Sequence, residues 1–377
     1  MPAWAAMGAG KAGRLPSERP ELIASFLKDA GLGDAARHAL PGDASTRRYE
    51  RLYPRSGPTL ILMDQAPALE TRPCPPQADA AERQALGYNA LARLAAGRVD
   101  AFVACAAFLR SRGLSAPKVL ASDTEAGLAV LEDLGEDLYG RLIGEGAAEA
   151  PLYEAAIDAL AALHAAPPPA VLEGDGATWP LLDYDDLALK TAGDLFIEWA
   201  PRLAPGLRFD AEAAGRWEEI WAPVRVRGAA AASVFCHRDY HAENLVWLAA
   251  REGPARVGLL DFQDALRAHP AWDFSMLLHD ARRDVSAERE TASLERYLAA
   301  RPQEDAEAFL ADYHALGALN VARILGVFSR LVVRDGKPRY RAFMPRLWTY
   351  LDRCLAGPAP PGLAAWIGRY APTEARA

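Results

Sequence analysis

Cys236-His237-Arg238-Asp239-Tyr240-His241-Ala242-Glu243-Asn244-Leu245, with Leu260-Asp261-Phe262-Gln263-Asp264 downstream, is the pair of stretches on which the reading of this chain turns. Phosphoryl transfer to a hydroxyl needs an aspartate that accepts or orients the proton of the attacking oxygen. It also needs an amide oxygen and a second carboxylate to hold Mg²⁺ against phosphate oxygens. Asp239 fits the first role, and Asn244 and Asp261 fit the other two. Four residues separate Asp239 from Asn244, enough for the chain to turn back so that both side chains face one cleft. A hairpin then returns with Asp261 at its end, opposite Asn244. His237 is expected to support the loop by hydrogen bonding to backbone near Asp261, without acting as a base.

Outward from this centre, the chain divides into a strand-rich part and a helical part. Leu22, Ile23, Phe26 and Leu27 fall at helical spacing within Pro20–Gly31. Leu40–Leu52 reads as strand, small-residue turn, strand, and Thr59–Met63 as a further strand. Prolines make Pro67–Gln77 a loop. Asp100–Arg112 suits a buried helix stopped by Gly113, and two short strands follow at Lys118–Ser122 and Leu128–Leu131. Helices are expected at Leu152–Ala165, Asp183–Trp199 and Ala211–Ala222, and from Ala271 to about Trp366. Short strands at Val234–Cys236 and Arg256–Leu260 bracket the central loop. The fold class is therefore α+β: a small lobe with an antiparallel sheet plus one helix, a hinge near Glu132–Gly135, and a larger, mostly helical lobe. Residues 1–20 read as a disordered leader, 21–135 as the N-terminal lobe and 136–370 as the C-terminal lobe.

The chain has 377 residues and a net charge of −8, with no basic stripe of the kind nucleic-acid binding requires. The Arg282–Arg283 pair reads as a local anion contact. Cys74, Cys105, Cys236 and Cys354 are far apart and lack zinc-ligand spacing, which suits reduced thiols in the cytoplasm. No run of apolar residues reads as a bilayer span, and no membrane or obligate protein partner is indicated.

His237-Arg238-Asp239 with Asn244 matches the protein-kinase pattern H-R-D-x-x-x-x-N, and Asp261-Phe262-Gln263 matches D-F-G except at its last letter. The set resembles the aminoglycoside phosphotransferase-like kinases, which include choline and homoserine kinases, over about residues 40–350. Within that family it is most similar to the anomeric sugar kinases of cell-wall recycling, which act on N-acetylmuramate and N-acetylglucosamine. The stretches that carry this are Gly42–Tyr49, Leu62–Asp64, Gly113–Leu120, Leu131–Gly135, His237–Leu248, Leu259–Ala265 and Leu277–Val285, in that order.

The resemblance implies a bilobal protein-kinase-like fold, ATP and Mg²⁺ as cofactors, and a small-molecule sugar as substrate. It implies that Ser45, Thr46 and Arg47 cover the phosphates. It also implies that Glu132, Asp133 and Leu134 form a hinge whose backbone meets adenine. Protein kinases carry a phosphate-holding Lys on an early strand, and Met63 stands there instead. The sugar-kinase group is similar in this, so Arg47 or Arg48 is expected to meet the phosphate charge. Asp273 resembles a family position that braces the catalytic loop from below. Arg267, Asp280 and Arg283 are candidates to face the sugar, with Arg283 suited to a lactyl carboxylate, and His241 either contacts substrate or caps the loop. Two other readings stay open here: a kinase of the same fold for an aminoglycoside, choline or homoserine, and a non-catalytic nucleotide-binding regulator.

Overall fold

The computed structural model describes residues 19–41, 47–67 and 72–376. Helix α1 (Arg19–Asp29) precedes β1 (Ala36–Ala39), β2 (Arg48–Tyr53) and β3 (Leu60–Asp64). Helices α2 (Ala80–Leu86), α3 (Tyr88–Leu91) and α4 (Val99–Ser111) lead to β4 (Val119–Asp123) and β5 (Leu128–Glu132). The strands form one antiparallel sheet in the order β1-β2-β3-β5-β4, with Leu62 opposite Val130 and Met63 opposite Ala129.

The two-residue period of the strands decides which helix covers which face. Leu60, Leu62, Leu128 and Val130 point to one side and bury Ile23 and Leu27 of α1. Met63, Ala129 and Leu131 point to the other side and share a core with Phe102, Val103 and Ala106 of α4. That same core runs on into the helical half, so α4 is common to both halves. Arg19, which the leader was expected to include, already belongs to α1 and bonds Asp64 through Nε at 3.0 Å.

After β5 come α5 (Tyr139–Gly144), α6 (Glu149–Leu163), the hairpin β6 (Val171–Gly174) and β7 (Ala177–Pro180), α7 (Asp186–Leu203) and α8 (Ala211–Ala230). Four short strands follow: β8 (Val234–Cys236), β9 (Leu245–Trp247), β10 (Val257–Leu259) and β11 (Leu266–Ala268). The chain ends in α9 (Ala271–Leu278), α10 (Ala287–Ala300), α11 (Ala306–Val333), α12 (Met344–Ala356) and α13 (Leu363–Tyr370). The expected end of the helix at Ala222 is overturned, since α8 continues through Pro223. Proline removes one helical hydrogen bond, but Trp217, Trp221, Arg225 and Gly228 keep one face of α8 buried across it.

Helix α11 is long and apolar enough to cross a membrane by length and composition, a run that the sequence reading passed over. It packs instead against α7, α9 and α12, with 67% of its apolar window buried. The approach of α11 to α7 is close: a Cβ on Gly326 would lie 2.5 Å from the Leu195 carbonyl oxygen. Helix propensity favours alanine over glycine by about 1 kcal/mol, whereas a clash with backbone costs about 1–3 kcal/mol or more. Gly326→Ala is therefore expected to destabilise the protein in urea unfolding. Gly215→Ala, on exposed α8 with nothing within 4 Å of the new Cβ, should stabilise it by about 0.5–1 kcal/mol.

Candidate active site

Two two-stranded ribbons bring the distant motif residues to one place. Strand β8 pairs with β11, placing Cys236 opposite Leu266, and β9 pairs with β10, placing Leu245 opposite Leu259. The loop 237–244 leaves from β8, and the turn 261–265 leads into β11. At their meeting point the Leu260 N–H donates to the Asn244 carbonyl at 2.9 Å, so Asp261 follows directly beside Asn244. Phe262 is fully buried and stacks on Phe102 of α4 with ring centroids 4.8 Å apart.

The loop is tied internally and from below. His241 N–H donates to the Asp239 carbonyl (3.0 Å), Asn244 N–H to the His241 carbonyl (2.8 Å), and Asn244 Nδ2 to the Asp239 carbonyl (2.9 Å). Asp273, in the first turn of α9, accepts His237 N–H on Oδ2 at 2.7 Å and Arg238 N–H on Oδ1 at 2.8 Å. Arg238 has φ +77° and Asp261 has φ +62°, a left-handed backbone that side chains other than glycine rarely adopt. The Arg238 guanidinium is buried and donates to the Ala92 carbonyl at 2.9 Å, anchoring the strained residue to the segment before α4.

The His237 ring is buried edge-on to Tyr240 and Phe262 (centroids 5.5 and 6.3 Å). It interacts with the backbone of Leu260, the residue before Asp261, although neither ring nitrogen makes a hydrogen bond of normal geometry. Ring packing thus adds to the backbone contact in supporting the loop, and Asp273 holds the His237 main chain.

The Asp239 carboxylate makes no hydrogen bond to another group among the described residues. Burial, with help from the charges of Asp261 and Asp264, pushes it up to about 6, against the pull of Arg323 and Arg238. A carboxyl tuned toward neutrality is a better proton acceptor than an ordinary one. Arg323 was not found from sequence. It lies on α11, held by Asn320 Oδ1 at 2.8 Å and over the Trp272 ring at 5.6 Å, and only the packing of α11 brings it near Asp239.

The donor set fits Mg²⁺. Asn244 uses its Nδ2 inside the loop, which leaves its oxygen as the atom available to a cation. The Asp261 side chain keeps 44% of its surface open. Among the described residues no group of three or more His, Cys, Asp or Glu is arranged to hold a metal.

Arg47, expected on the phosphates, reaches Asp261 Oδ1 (3.1 Å), Gln263 Oε1 (3.0 Å) and the Tyr49 hydroxyl (3.0 Å). Gln263, which replaces the glycine of the kinase pattern, also donates to Asp261 Oδ1 at 2.9 Å. Ser45 and Thr46 lie outside the described residues. Asp133 accepts from Arg51 Nε (2.7 Å), Thr59 Oγ1 (2.8 Å) and Gly135 N–H (2.9 Å), and Glu132 accepts from Arg251 Nη2 at 2.6 Å. These side chains build the turn after β5, and Leu134 is half-buried beside them.

Arg267 bonds Asp183 at 2.5 Å and makes no hydrogen bond or ion pair with Asp239, Asn244 or Asp261. Asp280 is buried and accepts from Arg283 Nε and Arg282 N–H, both at 2.9 Å. Arg283 also pairs with Glu243, and this knot sits against Gly140, where a Cβ would meet Arg283 Nη2 at 2.6 Å. Asp280 therefore lies beside the loop, while Arg267, opposite Phe235 on β11, is committed to Asp183.

A five-stranded antiparallel sheet followed by a mostly helical half, with Asp239, Asn244 and Asp261 brought together by two short ribbons, is the architecture of a protein-kinase-like phosphotransferase. The chain belongs to the phosphotransferase enzyme family, whose model matches residues 37–319. A Caulobacter vibrioides protein named N-acetylmuramate/N-acetylglucosamine kinase is 68% identical over 362 residues, covering 96% of this chain and 99% of that protein. A Pseudomonas aeruginosa protein of the same name is 32% identical, over 83% of this chain and 82% of that one. Among solved structures, the ADP-bound aminoglycoside phosphotransferase APH(2'')-Ib superposes with a TM-score of 0.51 at 14% identity, covering 90% of this chain and 99% of that chain. Choline kinase from Cryptosporidium parvum Iowa II gives 0.52 at 11%, covering 89% and 94%. At those identities the two structures speak to the fold alone.

In the protein without metal or nucleotide, the Asp239 carboxyl is expected to titrate near pH 6. Asp261→Asn should move that titration down, because it removes a like charge. Carboxyl ¹³C shifts followed from pH 4 to 8, an interval of about two units on either side, read both. Titration in the ordinary aspartate range in both proteins would contradict the assignment.

Proposed function

We propose that this chain is an ATP-dependent sugar kinase that transfers the γ-phosphoryl group to the anomeric hydroxyl of N-acetylmuramate or N-acetylglucosamine, giving the sugar 1-phosphate. The observation that carries the reading is the Asp239 carboxylate, raised toward neutrality and without a hydrogen bond among the described residues, on a loop where Asn244 spends its amide nitrogen on the Asp239 carbonyl. The 68% identity to a kinase named for these two sugars, over 96% of the chain, supports the substrate class.

On this reading ATP lies between the lobes 21–135 and 136–370, with adenine against the backbone of 131–135. The side chains of Glu132 and Asp133 shape that segment and leave recognition to its main chain. Mg²⁺, held by Asn244 Oδ1 and Asp261, would supply charge neutralisation at the transferred phosphoryl group. Arg47 already neutralises Asp261. It is placed to exchange that carboxylate for a phosphate oxygen, since guanidinium binds either bidentately. Asp239 accepts the hydrogen bond of the anomeric hydroxyl and orients its oxygen for in-line attack. An anomeric hydroxyl is more acidic than an ordinary alcohol, so a carboxylate is base enough. Guanidinium groups of Arg282 and Arg323 near the loop favour a neutral or anionic acceptor over a cationic one. The four described cysteines are all buried and unpaired, which supports a reducing compartment such as the cytoplasm.

The test is ATP consumption against a panel of sugars, with the phosphorylated position assigned by ³¹P and ¹H NMR. A 6-phosphate product would overturn the anomeric assignment. Asp239→Ala should lower turnover by about a thousandfold or more while nucleotide affinity changes little. Asp261→Ala should instead weaken Mg²⁺-dependent nucleotide binding by about tenfold or more. Near-wild-type rates in both variants would remove the roles assigned to these residues.

A further inference from the structure

The turn after α9 packs on the catalytic loop and carries two adjacent arginines with opposite fates. Arg283 has its donors occupied by Asp280 and Glu243 and reaches toward the Gly140 carbonyl at 3.4 Å. Nearby arginines are paired as well, Arg346 with Asp284 and Arg353 with Glu290. Arg282 differs. Its backbone N–H is held by Asp280 Oδ1 at 2.9 Å, while its guanidinium makes no hydrogen bond or ion pair among the described residues. It is half-buried, and its charge acts on the ring of His241.

His241 supplies the second observation. Its side chain is 92% buried, the complement of its 8% exposure, and its Nδ1 has no partner. Nε2 lies 3.4 Å from the Asn244 amide nitrogen, which is a donor, so Nε2 is the acceptor and the ring proton sits on Nδ1. Where the turn after α9 packs on the loop, two residues along from Asp239, an N–H without an acceptor among the described residues thus lies near a guanidinium with no hydrogen bond or ion pair among them; the Asp280 carboxylate close to both is already bonded to Arg283 Nε and the Arg282 N–H. An oxygen ligand bearing negative charge would satisfy both.

We propose that Arg282 and His241 Nδ1 form the subsite that reads the 3-O-lactyl carboxylate of N-acetylmuramate, an inference that rests on the sugar-kinase reading above. The lactyl arm leaves the ring carbon next but one to the anomeric carbon. A sugar whose anomeric oxygen meets Asp239 can therefore set that arm against the far end of the same loop. N-acetylglucosamine lacks the arm and makes no use of Arg282. Arg283, the residue that sequence alone favoured for the carboxylate, is excluded because two protein carboxylates already hold it.

The experiment measures kcat/KM with Mg·ATP for N-acetylmuramate, its methyl ester and N-acetylglucosamine. It compares the full-length wild type with Arg282→Ala and Arg282→Lys. Wild type should prefer the acid over the ester by about tenfold or more. Arg282→Ala should abolish that preference through KM for the acid and leave the ester and N-acetylglucosamine within about threefold of wild type. Arg282→Lys should recover part of it. Equal use of acid and ester by wild type overturns the proposal, as does a parallel loss with all three substrates. The wild-type comparison stands even if a variant fails to fold. A wild type that phosphorylates none of the three overturns the kinase reading itself, and is recognised before any variant is made.

Discussion

Consecutive backbone N–H groups, those of His237 and Arg238, end on the two oxygens of one buried carboxylate, Asp273. Most of the site's geometry follows from this clamp. Two adjacent amides can point at one acceptor only if the chain bends sharply between them, and the bend appears as the left-handed backbone of Arg238. A residue held in that conformation costs about 1–3 kcal/mol, which two charge-assisted hydrogen bonds of about 1.5–3 kcal/mol each can offset. Asp239 follows directly after the bend. Asp273 is itself pushed up to about 7 by burial, against the donors it accepts. His164, 4.0 Å away, does not neutralise it as a cation, because burial holds that imidazole down near 3.

The same economy of partners runs through the rest of the cleft. Asn244 satisfies its amide nitrogen on the loop and keeps its oxygen. Asp261, also in left-handed backbone, is held by Gln263 and Arg47 on one oxygen. Burial alone would raise the Asp261 carboxyl, yet Arg47 and Gln263 keep it below the usual carboxylate range, so it is ionised when a cation arrives. Asp239 and Asp261 therefore diverge in proton affinity although both are aspartates beside one cleft. Asp261 has cationic and amide partners in contact, and Asp239 has no such contact among the described residues. On the proposed reading, this separation suits one carboxylate to a proton and the other to a metal.

Much of this was legible beforehand. The typed positions Asp239, Asn244 and Asp261 and the strands that carry them were readable because each lies within a few residues of a strong local pattern. The sheet was readable for the same reason: Leu60, Leu62, Leu128 and Val130 alternate at the period of a strand. The hairpin β6–β7 was not, since it is short and follows the prolines of 167–169. The far end of α8 was not, because local rules stop a helix at proline while a buried tryptophan face carries it through. His237 was read as a backbone-bonding support; its ring does meet the Leu260 backbone, but its edge-on packing on Phe262 depends on the fold and was not legible.

By itself the sequence determined the fold class, the class of chemistry and the candidate residues Asp239, Asn244 and Asp261, because those depend on residue type and short spacing. Tertiary structure alone decided which charged side chains are already satisfied. Arg282 and Arg283 are neighbours of the same type, and nothing local separates them. Only the folded chain places Asp280 and Glu243 around one guanidinium and leaves the other open. Likewise, only the packing of α11 brings Arg323 toward Asp239. Pairing between charges is set by distances across the fold, and those distances are not written in the spacing of residues along the chain.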